Sequence, residues 1–239
     1  MHEIKGKIRY SETDSTGRLT YPALLNYFQD SSFSHSEGLG VGWKYLKELN
    51  LAWVLSSWQI CINEMPQVED EVVTQTWPYE FKGFYGYRNF TMVKPGGQRY
   101  AYANSLWVLI DINTGRPVRV PQEISGAYTN EPPIEMECSD RKIAIPAMYE
   151  EKDPITVLKY FIDTNQHMNN EKYVMIAQEF LPDDFVIGEI RVEYRKSAVL
   201  NDVLYPRLSV EIGHITVVLA DEDGKPYATV LFIKKTDKQ

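Results

Sequence analysis

Apolar positions along the chain switch between two periods, and the switches mark its elements. Residues 2–10 alternate Ile4, Ile8 and Tyr10 with polar side chains, the two-residue period of a strand. SETDSTGRLTYP then reads as a turn, with Pro22 placed for the first turn of a helix. Leu24, Leu25 and Phe28 recur at helical spacing until Gly38 and Gly40 stop the run, and VGWKYLKEL (41–49) reads as a second, shorter helix. Strands follow in LAWVLSSWQICINE (51–64), EVVTQTWPYEF (71–81), GYRNFTMV and QRYAYANSLWVLIDI, the last two flanking KPGG as a hairpin. Four strands joined by short turns imply an antiparallel sheet.

Residues 130–153 are rich in Pro and acid, lack periodicity and read as a connector. The same order then returns. ITVLKYFI (155–162) reads as a strand and a polar turn follows. Tyr173, Ile176, Ala177, Phe180 and Leu181 trace a helix that Pro182 ends. FVIGEIRVEYRK, DVLYPRLSVEI, HITVVLAD and KPYATVLFIKK complete a second set of strands, with DEDGK as a hairpin turn. The halves align: Asp14 precedes Asp163 by 149 (163 − 14), and residues 54–72 align with 186–204 at an offset of 132 (186 − 54). The difference of 17 (149 − 132) is about the size of an extra segment around residues 35–51. The expectation is an α+β protein of two repeats, residues 1–129 and 154–239, joined by 130–153.

Composition narrows the class. With 239 residues, 44% hydrophobic and 24% charged, the chain suits an ordinary globular protein. No apolar run approaches the ~20 residues of a membrane helix. MHEIKGKIRY lacks an apolar core after a basic end and does not read as a signal peptide. Cys61 and Cys138 are far apart and without metal-ligand spacing, so a cytoplasmic, disulfide-free protein is expected, without a metal or bound cofactor. A net charge of −8 argues against general nucleic-acid binding, which rests on phosphate neutralisation.

The chemistry concentrates in DTNQHMNNEKY, residues 163–173. Asp163, Asn165 and His167 alternate, and in an extended segment side chains i, i+2 and i+4 share one side. A carboxylate, an amide and an imidazole so grouped suit polarising a carbonyl and moving a proton. At the matching turn of the first half, DSTGRLTYP, Thr16 replaces Asn165 and Arg18 replaces His167, so one site is expected, in the second half. The bland alternative is that Asp163 shapes the turn and Asn169 or Asn170 caps the helix.

D-x-N-x-H-x-N-N-x-K-Y resembles the signature of the acyl-acyl-carrier-protein thioesterases, and Asp163, Asn165, His167, Asn169, Asn170, Lys172 and Tyr173 fill every fixed position. The resemblance implies a tandem hotdog fold, each half a helix wrapped by a curved antiparallel sheet, with the first half as scaffold and acyl-chain pocket. It implies hydrolysis of a fatty acyl chain from the phosphopantetheine of acyl carrier protein. Within that reading Asn165 holds the carbonyl oxygen, His167 moves a proton, and Asp163 orients either or activates water. The plant-type pattern continues Y-R-R-E-C after the motif helix. Here Tyr194 and Arg195 match, but Ser197 and Ala198 stand at the Glu and Cys positions, which removes a Cys nucleophile and leaves the base open. Glu193 shares strand parity with Ser197 and is a candidate substitute. Acyl-CoA hydrolysis and a non-catalytic acyl-binding module remain as alternatives, and the chain is expected as a monomer or homodimer.

Other residues fill out the expectations. An acidic carrier would need a basic patch, for which Lys82, Arg88, Arg116, Arg119, Arg141 and Lys142 are candidates. Trp53, Trp58, Trp77 and Trp107 suit either an acyl tunnel or sheet packing. His35 and His214 lack obvious acidic neighbours, and His2 lies near the terminus.

Overall fold

Thr20 starts the first helix. Its hydroxyl accepts from the Ala23 N–H at 3.3 Å, a proline lies in the first turn, and α1 runs Tyr21–Gly38. Leu24, Leu25, Phe28, Ser31 and Ser32 form its buried stripe. Phe28, with no exposed surface, packs on Phe90 at 5.3 Å between ring centres. Burying one such ring stabilises by about 2–3 kcal/mol. A short helix, α2, spans Trp43–Glu48.

The computed structural model describes residues 1–236. These fall into two units, Met1–Ser56 with Ile62–Cys138, and Ser57–Cys61 with the chain from Ser139 onward. In the first, β1 (His2–Lys7), β2 (Leu51–Ile62, of which Ser57–Cys61 count with the second unit), β3 (Glu71–Lys82), β4 (Tyr85–Val93) and β5 (Arg99–Asp111) lie in the order β1-β3-β4-β5-β2. Helix α1 packs on β3 and β1. A four-residue helix, α3 (Gln122–Ser125), follows β5.

The second unit repeats this plan. It contains β6 (Glu150–Glu151), β7 (Ile155–Thr156), α4 (Asn170–Gln178), β8 (Ile187–Tyr194), β9 (Val203–Glu211), β10 (His214–Ala220) and β11 (Pro226–Lys234). The order is β8-β11-β10-β9-β6, with β7 also on β9. Matching β1 to β6 and β7, β3 to β9, β4 to β10, β5 to β11 and β2 to β8 makes the two orders identical. The offset of 132 holds in space, since β3 begins at Glu71 and β9 at Val203 (203 − 71). Among the described residues no helix is long and apolar enough to cross a membrane.

Three elements differ from the sequence expectation. Residues 155–162 are not one strand: pairing stops after Thr156 and Lys159–Phe161 form a 3-10 turn. Their polarity is not strictly alternating, so the chain curls to bury Val157 and Phe161 while Leu158 and Tyr160 stay exposed. The first strand likewise ends at Lys7, and Tyr10–Glu12 form a 3-10 turn. Helix α4 ends at Gln178, short of Phe180, because Pro182 disfavours helical geometry in the residue before it and the last turn tightens.

Candidate active site

Residues 163–167 fold back on themselves rather than extend. The Asp163 N–H donates to the His167 carbonyl at 2.8 Å, and the Gln166 N–H to the Asp163 carbonyl at 3.1 Å. The carboxylate drives the reversal: Asp163 Oδ1 accepts from the backbone N–H groups of Asn165 (2.7 Å) and His167 (3.2 Å). Gln166 takes φ 62°, the left-handed conformation such a loop requires. Asn165 and His167 are therefore carried by a loop, and not by strand alternation. Both side chains are exposed.

The first unit builds the same loop. Asp14 Oδ1 accepts from the backbone N–H groups of Thr16 (2.8 Å) and Arg18 (3.1 Å), and the Asp14 N–H donates to the Arg18 carbonyl (2.8 Å). Gly17, with φ 78°, stands where Gln166 does. Burial opposes ionisation of Asp14, but bonds from Thr16 and Arg18 outweigh it and hold the carboxyl below its ordinary range. The carboxylate's loop-shaping role is thus common to both repeats, and the bland reading of Asp163 describes its contacts. What differs is the cargo: Thr16 and Arg18 in one loop, Asn165 and His167 in the other.

Beyond the loop the chain is anchored in parallel ways. Leu19 N–H donates to the Pro66 carbonyl, and Met168 N–H to the Ala198 carbonyl, both at 2.8 Å. Those pairs obey the offsets of 149 (168 − 19) and 132 (198 − 66). Asn169 caps α4, its Oδ1 accepting from Glu171 N–H at 3.3 Å. Tyr173, pushed up to about 12 by burial, accepts from the Ala198 N–H at 2.9 Å. Its ring meets Tyr194 edge-on at 5.6 Å, and the Tyr194 hydroxyl, raised by burial, donates to the Asn170 carbonyl at 2.9 Å. Ala198 is fully buried and carries no nucleophile; Ser197 is exposed.

Glu193 does not stand in for the missing glutamate. It is buried, Oε2 accepts from Ile143 N–H at 3.0 Å, and Arg195 bonds both oxygens at 2.9 and 3.2 Å. Its work is to fasten a chain segment fifty residues away. The carboxylate that pattern reading passed over is Glu171, 4% exposed on the first turn of α4. It fills a variable position of the motif, and only its first-half counterpart, Pro22 (171 − 149), hints at a difference.

Of the supposed basic patch, Arg88 is buried, with Nη1 at 3.1 Å from Thr76 Oγ1 and from His35 Nδ1. Strand parity turns it inward, so it cannot meet a docking protein, whereas Lys82, Arg116, Arg119, Arg141 and Lys142 are exposed. Burial, then Arg88 and His2, push His35 down to about 4. His2 stacks on it at 5.1 Å and bonds Ser34 at 3.2 Å. His214 does have an acidic neighbour, Glu211 at 3.4 Å, which the strand turn brings back to it. Trp58 and Trp77 are buried; the Trp77 N–H donates to the Pro132 carbonyl and Trp107 to Ser105 Oγ, while Trp53 leans on Phe81. These are the contacts of sheet packing. Clefts of about 220 and 200 Å³ lie at Tyr205–Arg207 and beside Tyr27, and no motif residue lines either.

Known proteins resemble this chain in sequence and in fold. The family model described as the acyl-ACP thioesterase N-terminal domain matches residues 1–128, and that of the C-terminal domain matches 147–221. A palmitoyl-acyl carrier protein thioesterase of Gossypium hirsutum is 26% identical over 215 residues, covering 82% of this chain and 52% of its own. That of Arabidopsis thaliana is 25% identical over 229 residues, covering 87% and 55%. The chain spans about half the length of the curated relatives it matches. Two solved structures share the fold: an acyl-ACP thioesterase from Bacteroides thetaiotaomicron (TM-score 0.88, 24% identity, 98% and 97% covered) and a 12:0-ACP thioesterase from Umbellularia californica (0.87, 21%, 98% and 97%). Two repeats of a helix on an antiparallel sheet, each matched by the corresponding domain of one family, make this tandem hotdog chain a member of the acyl-ACP thioesterase family.

Proposed function

We propose that the chain hydrolyses fatty acyl thioesters of acyl carrier protein, releasing the free acid and the phosphopantetheine thiol. The observation that carries this is the asymmetry between loops with matching hydrogen bonds: an amide and an imidazole are mounted on the second loop and absent from the first. The relatives' names point to the same substrate.

In the proposed reaction water attacks the thioester carbonyl and the oxygen becomes an oxyanion. The Asn165 side-chain N–H groups donate to it, with the start of α4 adding a positive field. His167 delivers a proton to the departing sulfur. Asp163 acts as a positioning residue, because its bound oxygen already holds the backbone N–H groups of both partners. A cytoplasmic setting belongs to the same proposal, and the free thiols of Cys61 and Cys138 suit a reducing compartment.

The test is thiol release from matched acyl-carrier and acyl-CoA substrates. Faster turnover of the carrier substrate is expected, together with loss of at least 10²-fold in His167→Ala and Asn165→Ala. Preference for the CoA ester would make the chain an acyl-CoA hydrolase. Acyl binding without turnover would make it a carrier module.

A further inference from the structure

We infer that Glu171 is the general base that takes a proton from the attacking water. This rests on the hydrolase reading above. Glu171 lies on the first turn of α4, four residues after His167, so their Cα atoms lie within ~14 Å however the chain runs. The residue is 4% exposed, and its carboxylate is split in function. Oε1 pairs with Lys172 Nζ at 2.6 Å, whereas Oε2 is buried with no hydrogen-bond partner among the described residues. An unpaired buried acceptor costs about 1–3 kcal/mol, a cost that a helix-start role alone does not account for. Here that oxygen is left as an unengaged acceptor.

Two further facts favour chemistry over packing. Burial raises the carboxyl above its ordinary value, with Lys172 opposing, which moves it toward the range where a base works near neutrality. And the matching position of α1 is Pro22, also buried at the helix start, so the fold itself needs no acid there. Glu171 thus joins Asn165 and His167 as a third substitution confined to the second repeat. It also supplies a carboxylate where Ser197 and Ala198 have removed the usual one.

The step balances. One O–H bond of water breaks, its proton goes to Glu171 Oε2, and the oxygen bonds to the acyl carbon. Collapse of the oxyanion breaks the C–S bond. The sulfur takes a proton from His167, and the proton on Glu171 passes through solvent to His167, which restores both groups and leaves acid and thiol.

Glu171→Gln and Glu171→Ala are compared with the unaltered full chain in thiol release from palmitoyl-acyl carrier protein and palmitoyl-CoA. The expected result for Glu171→Gln is a kcat lower by at least 10²-fold, KM within about threefold, loss of the acid limb of the kcat profile, and an undiminished Tm. Retention of kcat within threefold overturns the inference and leaves the hydrolase reading intact. Unaltered protein that turns over neither ester overturns both. If both variants fold poorly, a carbon-13 titration of the Glu171 carboxyl in unaltered protein decides: an apparent pKa at or below an ordinary glutamate's overturns the inference, and a raised one supports it.

Discussion

Twin loops provide an internal control for the site. Removing the loop carboxylate by Asp14→Ala or Asp163→Ala deletes the same two backbone hydrogen bonds, at 2.8 and 3.1 Å in one case and 2.7 and 3.2 Å in the other, and Asp14→Ala also loses the bond from the Thr16 hydroxyl at 2.7 Å. Each bond to a charged acceptor is worth up to about 1.5–3 kcal/mol when shielded. These loops are largely solvated, so ~1–2 kcal/mol per substitution is the better figure. For a chain of this size that lowers Tm by about 2–8 °C. Stability should fall in both variants, at least as much in Asp14→Ala because of the Thr16 bond, whereas turnover should fall only in Asp163→Ala. Asp163→Ala frees Asn165 and His167, and misplacement by about 1 Å can cost 10²-fold. Asp14→Ala disturbs a loop without either group and should stay within about threefold of the starting rate. Asp163→Asn adds a finer cut: its amide oxygen can keep both bonds, so a positioning role predicts a loss under about tenfold. Thermal melts and thiol release on the same preparations provide the assay. Equal loss of turnover in the Asp14 and Asp163 variants would refute the division of labour.

Other outcomes follow from single contacts. Folding keeps His35 neutral, its pKa down at about 4, so its contribution is complete above the ordinary value of about 6.5 and fades as pH falls toward 4. Discounted for partial solvation, the loss is of order 1–2 kcal/mol, and urea melts of His35→Gln should show a shallower decline over that window; parallel curves would refute it. Tyr173→Phe strands the buried Ala198 N–H and should cost about 1–3 kcal/mol in denaturant melts, with an unchanged midpoint counting against the bond. Gln166→Gly removes a left-handed side-chain residue and should stabilise by up to ~1 kcal/mol, as Gly17 already does in the twin loop; a loss above that amount would contradict the strain.

The strand–turn–helix order, the doubled plan with its offsets of 149 and 132, and the place of the motif turn were legible because each is written in local spacing, whereas the folding back of residues 163–167 was not. Leu24, Leu25 and Phe28 name a helix face without knowledge of what covers it. The limits of β7 and α4 were less legible, since the curl at Lys159–Phe161 is imposed by Phe161 entering the core. What tertiary structure alone decided was the assignment of charged groups. Glu193 and Glu171 are both acids on apolar-patterned elements, yet one is bonded to Ile143 and Arg195 while the other keeps an open oxygen. Arg88 is sealed beside Thr76 and His35 although its strand pattern would equally suit a surface cation. A side chain's proton affinity depends on which distant backbone adjoins it and on how much water that contact excludes, and neither quantity is encoded in the spacing of its neighbours along the chain.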